Sequence, residues 1–473
     1  MADKTLRVGV LAPVNTLNPR EAQDFTSVLA VEQIFETPFA QPRAAGEMTE
    51  PVLFAERLSP EGESVWSARV RPGILFSDGT PMTARHVADS LSRANPFREQ
   101  AAVETRDERV VFRLLRPNAR FDLVLARRFC SVMLETGGQL LGTGPYMPAP
   151  DSTPERTRLV RNPHYRKPAA IDEVVLQVYP PDAQGRPAAL TAALEAGEAD
   201  FTNILSREDI AQLKKVRRWT EPGSSTAVFY MNTNRPGLDD RRVRRAIALA
   251  IDRMEIAKMF FANALAFSAS NLLPPMLGRF QDGLTYDLSQ ARNLLTTAGS
   301  RKPDRRLSLL LIYGPRPYLP GPRRVGEYIA SQLGALGLAV DLVPTANRQE
   351  YFARVQRGEY DFALAGWIAD TLDPVDFLQA TLGSESIPSP LRKTTEAGNL
   401  SRWSSPEMDE ALARLREEPR EDLRAALLKK VGEEAPLVPL LYGATIYAHT
   451  WKLKGFKPSP LGKASFAELN LQE

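Results

Sequence analysis

The stretch Tyr360–Pro374, "YDFALAGWIADTLDP", decides how this chain is read. Phe362 to Ala365 form an apolar run between Asp361 and Gly366, with the length and character of a buried strand. A tryptophan and a carboxylate, Trp367 and Asp370, follow where that strand ends. Residues in such a place either terminate a sheet or hold a ligand at its edge. Upstream, "LSLLLIYG" reads as a strand, "RRVGEYIASQLGALG" as a helix ending at Gly337, "LAVDLVP" as a strand and "QEYFARVQRG" as a helix. The order is β-α-β-α-β, with strand ends at one edge, where open α/β sheets bind ligands. Downstream, Asp373 before Pro374 reads as a structural turn residue. Two helices follow, the first capped by Ser405 with Pro406 at its first position.

Working outward, strand and helix signals alternate along the whole chain, which predicts a mixed α/β protein. Leu6–Leu11 reads as a strand, and Arg20–Phe35 as a helix with Val28, Val31, Ile34 and Phe35 on one face. Ser64–Arg71 and Arg109–Arg116 read as antiparallel strands, with a helix capped by Thr83 between them. Pro187–Phe201 is helical in pattern up to Gly197, and Ser206 with Asp209 forms a capping box. Thr226–Asn234 reads as a strand. The segment after Pro236 reads as a helix whose buried stripe is Val243, Ile247, Ala250, Ile251 and Met254. Arg241, Arg242, Arg244 and Arg245 read as its solvated face, offset by Asp239, Asp240 and Asp252.

Composition narrows the chemistry. The chain has 473 residues, enough for two or three domains, with 43% hydrophobic and 25% charged residues. The formal charge of +3 and the interleaving of acids with bases point to no nucleic-acid partner. One cysteine, Cys130, permits no intramolecular disulfide, and three histidines at scattered positions supply no metal set. No nucleophile elbow, zinc-protease, Walker or dinucleotide-binding motif is present, so no cofactor or metal is expected and an enzyme is disfavoured. No apolar run reaches transmembrane length. The N-terminal residues carry neither a signal-peptide pattern nor a lipid-anchor cysteine. The expected location is therefore periplasmic if a leader has been removed, and otherwise cytoplasmic.

Several segments together resemble the family 5 bacterial extracellular solute-binding proteins, the peptide and nickel receptors of ABC importers. "GILFSDGTPMTARHVADSL" (Gly73–Leu91) is similar to that family's F-x-D-G-x-P-x-T-A-x-D-V motif, with Arg85 and His86 where an acid is common. "GTGPY" (Gly142–Tyr146) and "RLVRNPHYRK" (Arg158–Lys167) resemble its G-T-G-P-Y and R-N-x-x-Y pair, with Arg166 in place of the usual Trp. "FYMNTNRPGLDDRRVRRAIALAIDR" (Phe229–Arg253) resembles the segment that returns between lobes. "GWIADTLDP" resembles the W-x-A-D-Y-x-D-P motif, with Thr371 in place of the aromatic. The matches run in order over nearly the whole chain, ending at "LKGF" (Leu453–Phe456).

The resemblance implies an α/β fold of the periplasmic-binding-protein type II, two lobes with a hinge and an extra subdomain inserted in lobe I. Lobe I would comprise 1–36, 142–232 and 445–473, the inserted subdomain 37–141, and lobe II 233–444. Hinges are expected at Asn232–Pro236 and Tyr442–Thr445. The implied function is capture of a peptide or small amine-containing solute by lobe closure, for an ABC permease if the protein is exported, with the protein a monomer. In that setting Asp370 would hold the ligand's ammonium group and Trp367 would line the cleft. The backbone of Ala365, Gly366 and Trp367 would pair with an extended peptide, with Ala369 beside it. The family's frequent Trp falls at Arg348, which would recognise a carboxylate or phosphate. An arginine common in oligopeptide binders falls at Leu364. Two other readings share the fold: a leaderless cytoplasmic ligand sensor, and an enzyme that has repurposed the cleft.

Overall fold

The computed structural model describes residues 4–472 apart from 23, 43–45, 63, 183–185, 279, 281–283, 315, 317, 391–397, 460, 462 and 463. The chain divides into unit 1, Met1–Glu221 with Thr445–Glu473, and unit 2, Pro222–Ala444.

Unit 1 contains β1 (Thr5–Val10), α1 (Phe25–Ile34), β2 (Val65–Arg69), α2 (Ala84–Ser92), β3 (Ala101–Arg106) and β4 (Arg109–Leu114). There follow β5 (Tyr146–Pro148), β6 (Arg156–Arg161), β7 (Glu173–Val178), α3 (Ala188–Ala196), β8 (Phe201–Thr202) and the start of β9 (Val216–Met231). Its main sheet runs β5–β6–β7–β1–β8 and is completed by the end of a strand, Leu437–Thr450, that returns from unit 2. β1 pairs in parallel with β7, and Phe201 pairs antiparallel with His449. The expected antiparallel pair of β2 and β4 is present, in register Trp66↔Phe112 and Ala68↔Val110. An apolar cluster drawn only from residues 39–132 lies under this second sheet, with Phe112 edge-on to both Phe54 and Phe97 at 6.2 Å.

Two turns show why the local sequence folds as it does. α3 ends at Gly197, whose φ of 73° is the left-handed conformation that a side chain disfavours. In "GTGPY", the Gly144 N–H donates to Ile34 O at 2.9 Å, and a Cβ at Gly144 would lie 2.6 Å from that oxygen. The glycine lets the chain touch the end of α1.

Unit 2 holds α4 (Arg241–Ala250), α5 (Arg253–Lys258), β10 (Leu307–Leu311), α6 (Pro322–Gly334), β11 (Val340–Val343), α7 (Arg348–Arg357) and β12 (Phe362–Ile368). α8 (Pro374–Leu382), α9 (Pro406–Glu417), α10 (Glu421–Glu434) and β13 (Leu437–Thr450) follow; back in unit 1, β14 (Leu453–Lys454) pairs with β15 (Asn470–Leu471). The strand order in unit 2 is β13–β9–β12–β10–β11. β10 is parallel to both β11 and β12, so the β-α-β-α-β expectation holds, and Ser405 caps α9 with Pro406 at its start.

Several expectations need correction. α1 begins at Phe25, capped by Asp24, because Asn18–Ala22 is tied into a turn by hydrogen bonds from Glu21 and Ala22 to Asn18 O. The helix capped by Ser206 and Asp209 stops at Ala211. β9 starts ten residues before Thr226, at Val216. The long helix after Pro236 is two helices, because Ile251 leaves helical geometry and Asp252 accepts from Met254 and Glu255 N–H to begin α5. Arg244 is not on a solvated face: it is 3% exposed. Its guanidinium donates to the carbonyls of Glu434 (2.8 Å), Leu238 (3.1 Å) and Asp239 (3.0 Å), which offset the loss of water around the charge. Asn232–Pro236 lies inside unit 2, where the Asn232 amide donates to Tyr360 O at 3.0 Å; the chain crosses earlier, within β9.

Candidate ligand-binding site

The site is built on the end of β12. Phe362–Ala365 are buried, Gly366 and Trp367 half-buried, and Ile368 is exposed. β9 pairs with β12 through Ile368, but the β10 pairing ends at Leu364. Over Ala365–Ile368, β12 is therefore bounded by a strand on one side only among the described residues. A bare strand edge of this kind offers main-chain groups to another extended chain.

The turn after the strand has its own fixing. Ala369 is buried and its N–H donates to Ser224 O at 2.7 Å. Thr371 is buried, donates through Oγ1 to Asp376 at 2.9 Å and accepts from the Asp373 N–H at 3.1 Å. Asp373 accepts from the Val375 N–H at 2.9 Å and caps α8, the structural role its place before Pro374 predicts. Between these anchors Asp370 is exposed. Thr371 is thus part of the turn's internal bonding.

Around this end stand rings and arginines. A Cβ at Gly366 would lie 2.6 Å from the Tyr318 ring, and one at Gly398 would lie 2.6 Å from the Trp367 ring, so both aromatics pack directly on glycine backbone. Tyr318 is nearly buried, and burial pushes its phenol up to about 12, keeping it neutral and a donor. Upstream in the same loop, which leaves the end of β10, the Arg316 guanidinium stacks on Tyr313 at 4.1 Å. Arg348 is the first residue of α7, exposed, and stacks on Phe352 at 4.9 Å. Tyr351 links the two, 6.3 Å from Tyr313 and 5.6 Å from Phe352, with its hydroxyl buried and lacking a hydrogen-bond partner among the described residues. Neither Arg316 nor Arg348 forms an ion pair among the described residues.

Of the residues singled out from sequence, Gly366, Trp367, Ala369 and Asp370 thus share one strand end, and Arg348 stands at the head of the helix that leads back into that strand. Leu364 is buried in the sheet. Arg316 and Tyr318 escaped the sequence reading. The available signal was "GPRPYLP", a proline-rich stretch with a cation and an aromatic directly after a strand. Chemically the arrangement offers a carboxylate, two guanidinium groups that have no ion pair among the described residues, and a strand edge. Among the described residues no group of three or more His, Cys, Asp or Glu could hold a metal.

Residues 50–389 match the family described as bacterial extracellular solute-binding proteins, family 5 middle. The chain belongs to this family. Among relatives of this solute-binding protein, a di/tripeptide-binding protein 2 of Pseudomonas aeruginosa is 30% identical over 84% of this chain and 78% of its own length. A dipeptide-binding protein of Escherichia coli is 28% identical over 77% of this chain and 70% of its own. In structure, HbpA2 from Haemophilus parasuis superposes with a TM-score of 0.82 at 23% identity, covering 99% of this chain and 100% of that one. The fold is that of the type II periplasmic binding proteins. In this solute-binding protein the Arg166 guanidinium donates to Glu36 through two bonds of 2.7 Å. Glu36 also accepts from Thr143 at 3.0 Å, so one carboxylate bonds both "GTGPY" and "RNPHYR".

Proposed function

We propose that this protein is the capturing component of an ABC importer for short peptides or other amine-bearing solutes, which it encloses by lobe closure. Asp370 pairs with the ligand's α-ammonium group, and the edge of β12 at Gly366–Trp367 pairs with its main chain. Arg348 or Arg316 takes the carboxylate. The observation that carries the reading is the place of Asp370, exposed in the turn that Thr371 and Asp373 bond, directly beyond a strand end that has a strand on one side only among the described residues. A charge-assisted bond of this type contributes about 1.5–3 kcal/mol when water is excluded. Main-chain pairing supplies affinity with little demand on ligand side chains, and half-buried Trp367 supplies an apolar wall.

The same reading places the working protein outside the cytoplasm, as a non-catalytic monomer that hands its ligand to a permease. Residues 37–141 form a subdomain inserted in lobe I, a division supported by their separate apolar cluster. The names of the peptide-binding relatives support the ligand class.

The test is calorimetric titration with dipeptides that do or do not carry an N-acetyl cap. The wild-type protein should prefer the free amine by about tenfold or more, and Asp370→Asn should abolish that preference while leaving the weaker binding of the capped peptide unchanged. Equal binding of both peptides by the wild type sinks the assignment of Asp370. Disappearance of the peptide during titration sinks the non-catalytic reading.

A further inference from the structure

Away from the candidate ligand site, unit 1 carries a face on which exposed tryptophans stand among basic side chains. Trp219 is 38% and Trp451 56% exposed. Arg217 and Trp219 are two residues apart on β9 and so share one face of it. The Arg217 guanidinium stacks on the Trp451 ring at 4.7 Å, which joins that face to the turn between β13 and β14. Lys452 lies in this turn, exposed. Lys454 is opposite Asn470 in the β14–β15 pair, and Asn470 accepts from Lys4 Nζ at 3.0 Å. Arg217 and Lys454 both act on buried His449, whose pKa is pulled down by burial first and then by these two cations. The two segments therefore bring their positive charges to one place.

Among the described residues this charge has no ion-pair partner. Several other arginines of unit 1 do have acids, among them Arg7 with Asp200 at 2.9 Å, Arg109 with Glu56 at 2.7 Å and Arg166 with Glu36 at 2.7 Å. Lys4, Arg217, Lys452 and Lys454 form no ion pair among the described residues. Lys214 and Lys215 directly precede β9, and Glu195 accepts from their main-chain N–H groups.

We propose that this face docks on the surface of an anionic lipid bilayer. Lysine supplies most of its charge, and lysine is depleted from protein interfaces, where its hydrated ammonium is costly to strip. At a lipid surface the ammonium stays in the wet headgroup layer while the negative potential attracts it. Indole rings settle at that same depth, because the ring is apolar and its N–H is a donor. The docking is peripheral, since among the described residues no helix is long and apolar enough to cross a membrane.

The test is flotation of the full chain with vesicles of phosphatidylcholine alone and of phosphatidylcholine mixed with phosphatidylglycerol. The protein should float with the mixed vesicles only, and detach as salt approaches about 1 M, where the Debye length is about 3 Å. Lys452→Glu with Lys454→Glu should weaken the association about tenfold or more. Trp219→Ala with Trp451→Ala should weaken it too, with thermal melting of both double variants at the wild-type temperature. No flotation, equal flotation with both vesicle types, or flotation undiminished in both variants overturns the proposal. Retention on heparin without flotation also overturns it, and assigns the face to an acidic polymer.

Discussion

Asp361 and Asp370 bracket the same strand, β12, and the fold treats them oppositely. Asp361 is 4% exposed. It accepts from Arg305 Nη1 at 2.9 Å, from the Ser308 N–H at 2.9 Å and from Ser308 Oγ at 3.0 Å, with Arg235 at 3.8 Å. Asp370 lies in solvent after the last strand residue. A buried carboxylate surrounded by donors spends its bonding capacity on the chain itself. Asp370 is instead exposed, in the turn that Thr371 and Asp373 bond. Under the proposed function, the structural and the ligand-binding carboxylates occupy opposite ends of this strand.

The largest expected effect breaks the structural end. Asp361→Ala leaves the Ser308 donors and Arg305 without their acceptor and should lower unfolding stability by about 3 kcal/mol, read from the urea midpoint. A loss as small as that of a surface substitution would show that Arg305 recovers its bonding from water.

A smaller effect is its pH dependence. Burial pushes the Asp361 carboxyl up, but bonds from Arg305 and Ser308 outweigh this and hold it below the usual carboxylate range. With the folded-state value depressed, the stabilisation is complete above the unfolded-chain value of about 3.9 and is lost as pH falls through the folded value. The stability gap between wild type and Asp361→Asn should therefore be flat from neutrality down to about pH 5 and narrow below about pH 4. A gap that widened on acidification would contradict the sign.

The smallest effect belongs to the other end. Asp370→Asn should change the urea midpoint by no more than about 0.5 kcal/mol equivalent, since Thr371 and Asp373 hold the turn. A change comparable to that of Asp361→Ala would make Asp370 a structural residue and erase the contrast.

What the sequence revealed follows the reach of each interaction. The β-α-β-α-β order, the Ser405 cap and the Gly197 stop were legible, because each depends on residues within a few positions. Arg244 was not: besides the nearby carbonyls of Leu238 and Asp239 it needs that of Glu434, far along the chain, and nothing near Arg244 signals that third acceptor. The early start of β9 was hidden by "KKVRRWTEPGS", whose charges, proline and glycine read as loop. In the site, Trp367 and Asp370 were visible as an anomaly at a strand end. Arg316 and Tyr318 were not, since a proline-rich loop shows no period and its relation to Gly366 exists only after β10 and β12 pair.

The crossings within β9 and β13 also have a consequence for biosynthesis. Unit 2 is one continuous segment, Pro222–Ala444, and can begin folding as it leaves the ribosome. Unit 1 cannot finish. Its strand β8 waits for Ala448 and His449, and its core for Tyr447, Leu453, Phe466 and Leu469, all made last. At about 5–20 residues per second, the long first segment of unit 1 stands with an open sheet edge for on the order of tens of seconds. During that interval β8 is the nascent chain's point of exposure to aggregation, and the stage at which a chaperone has most to do.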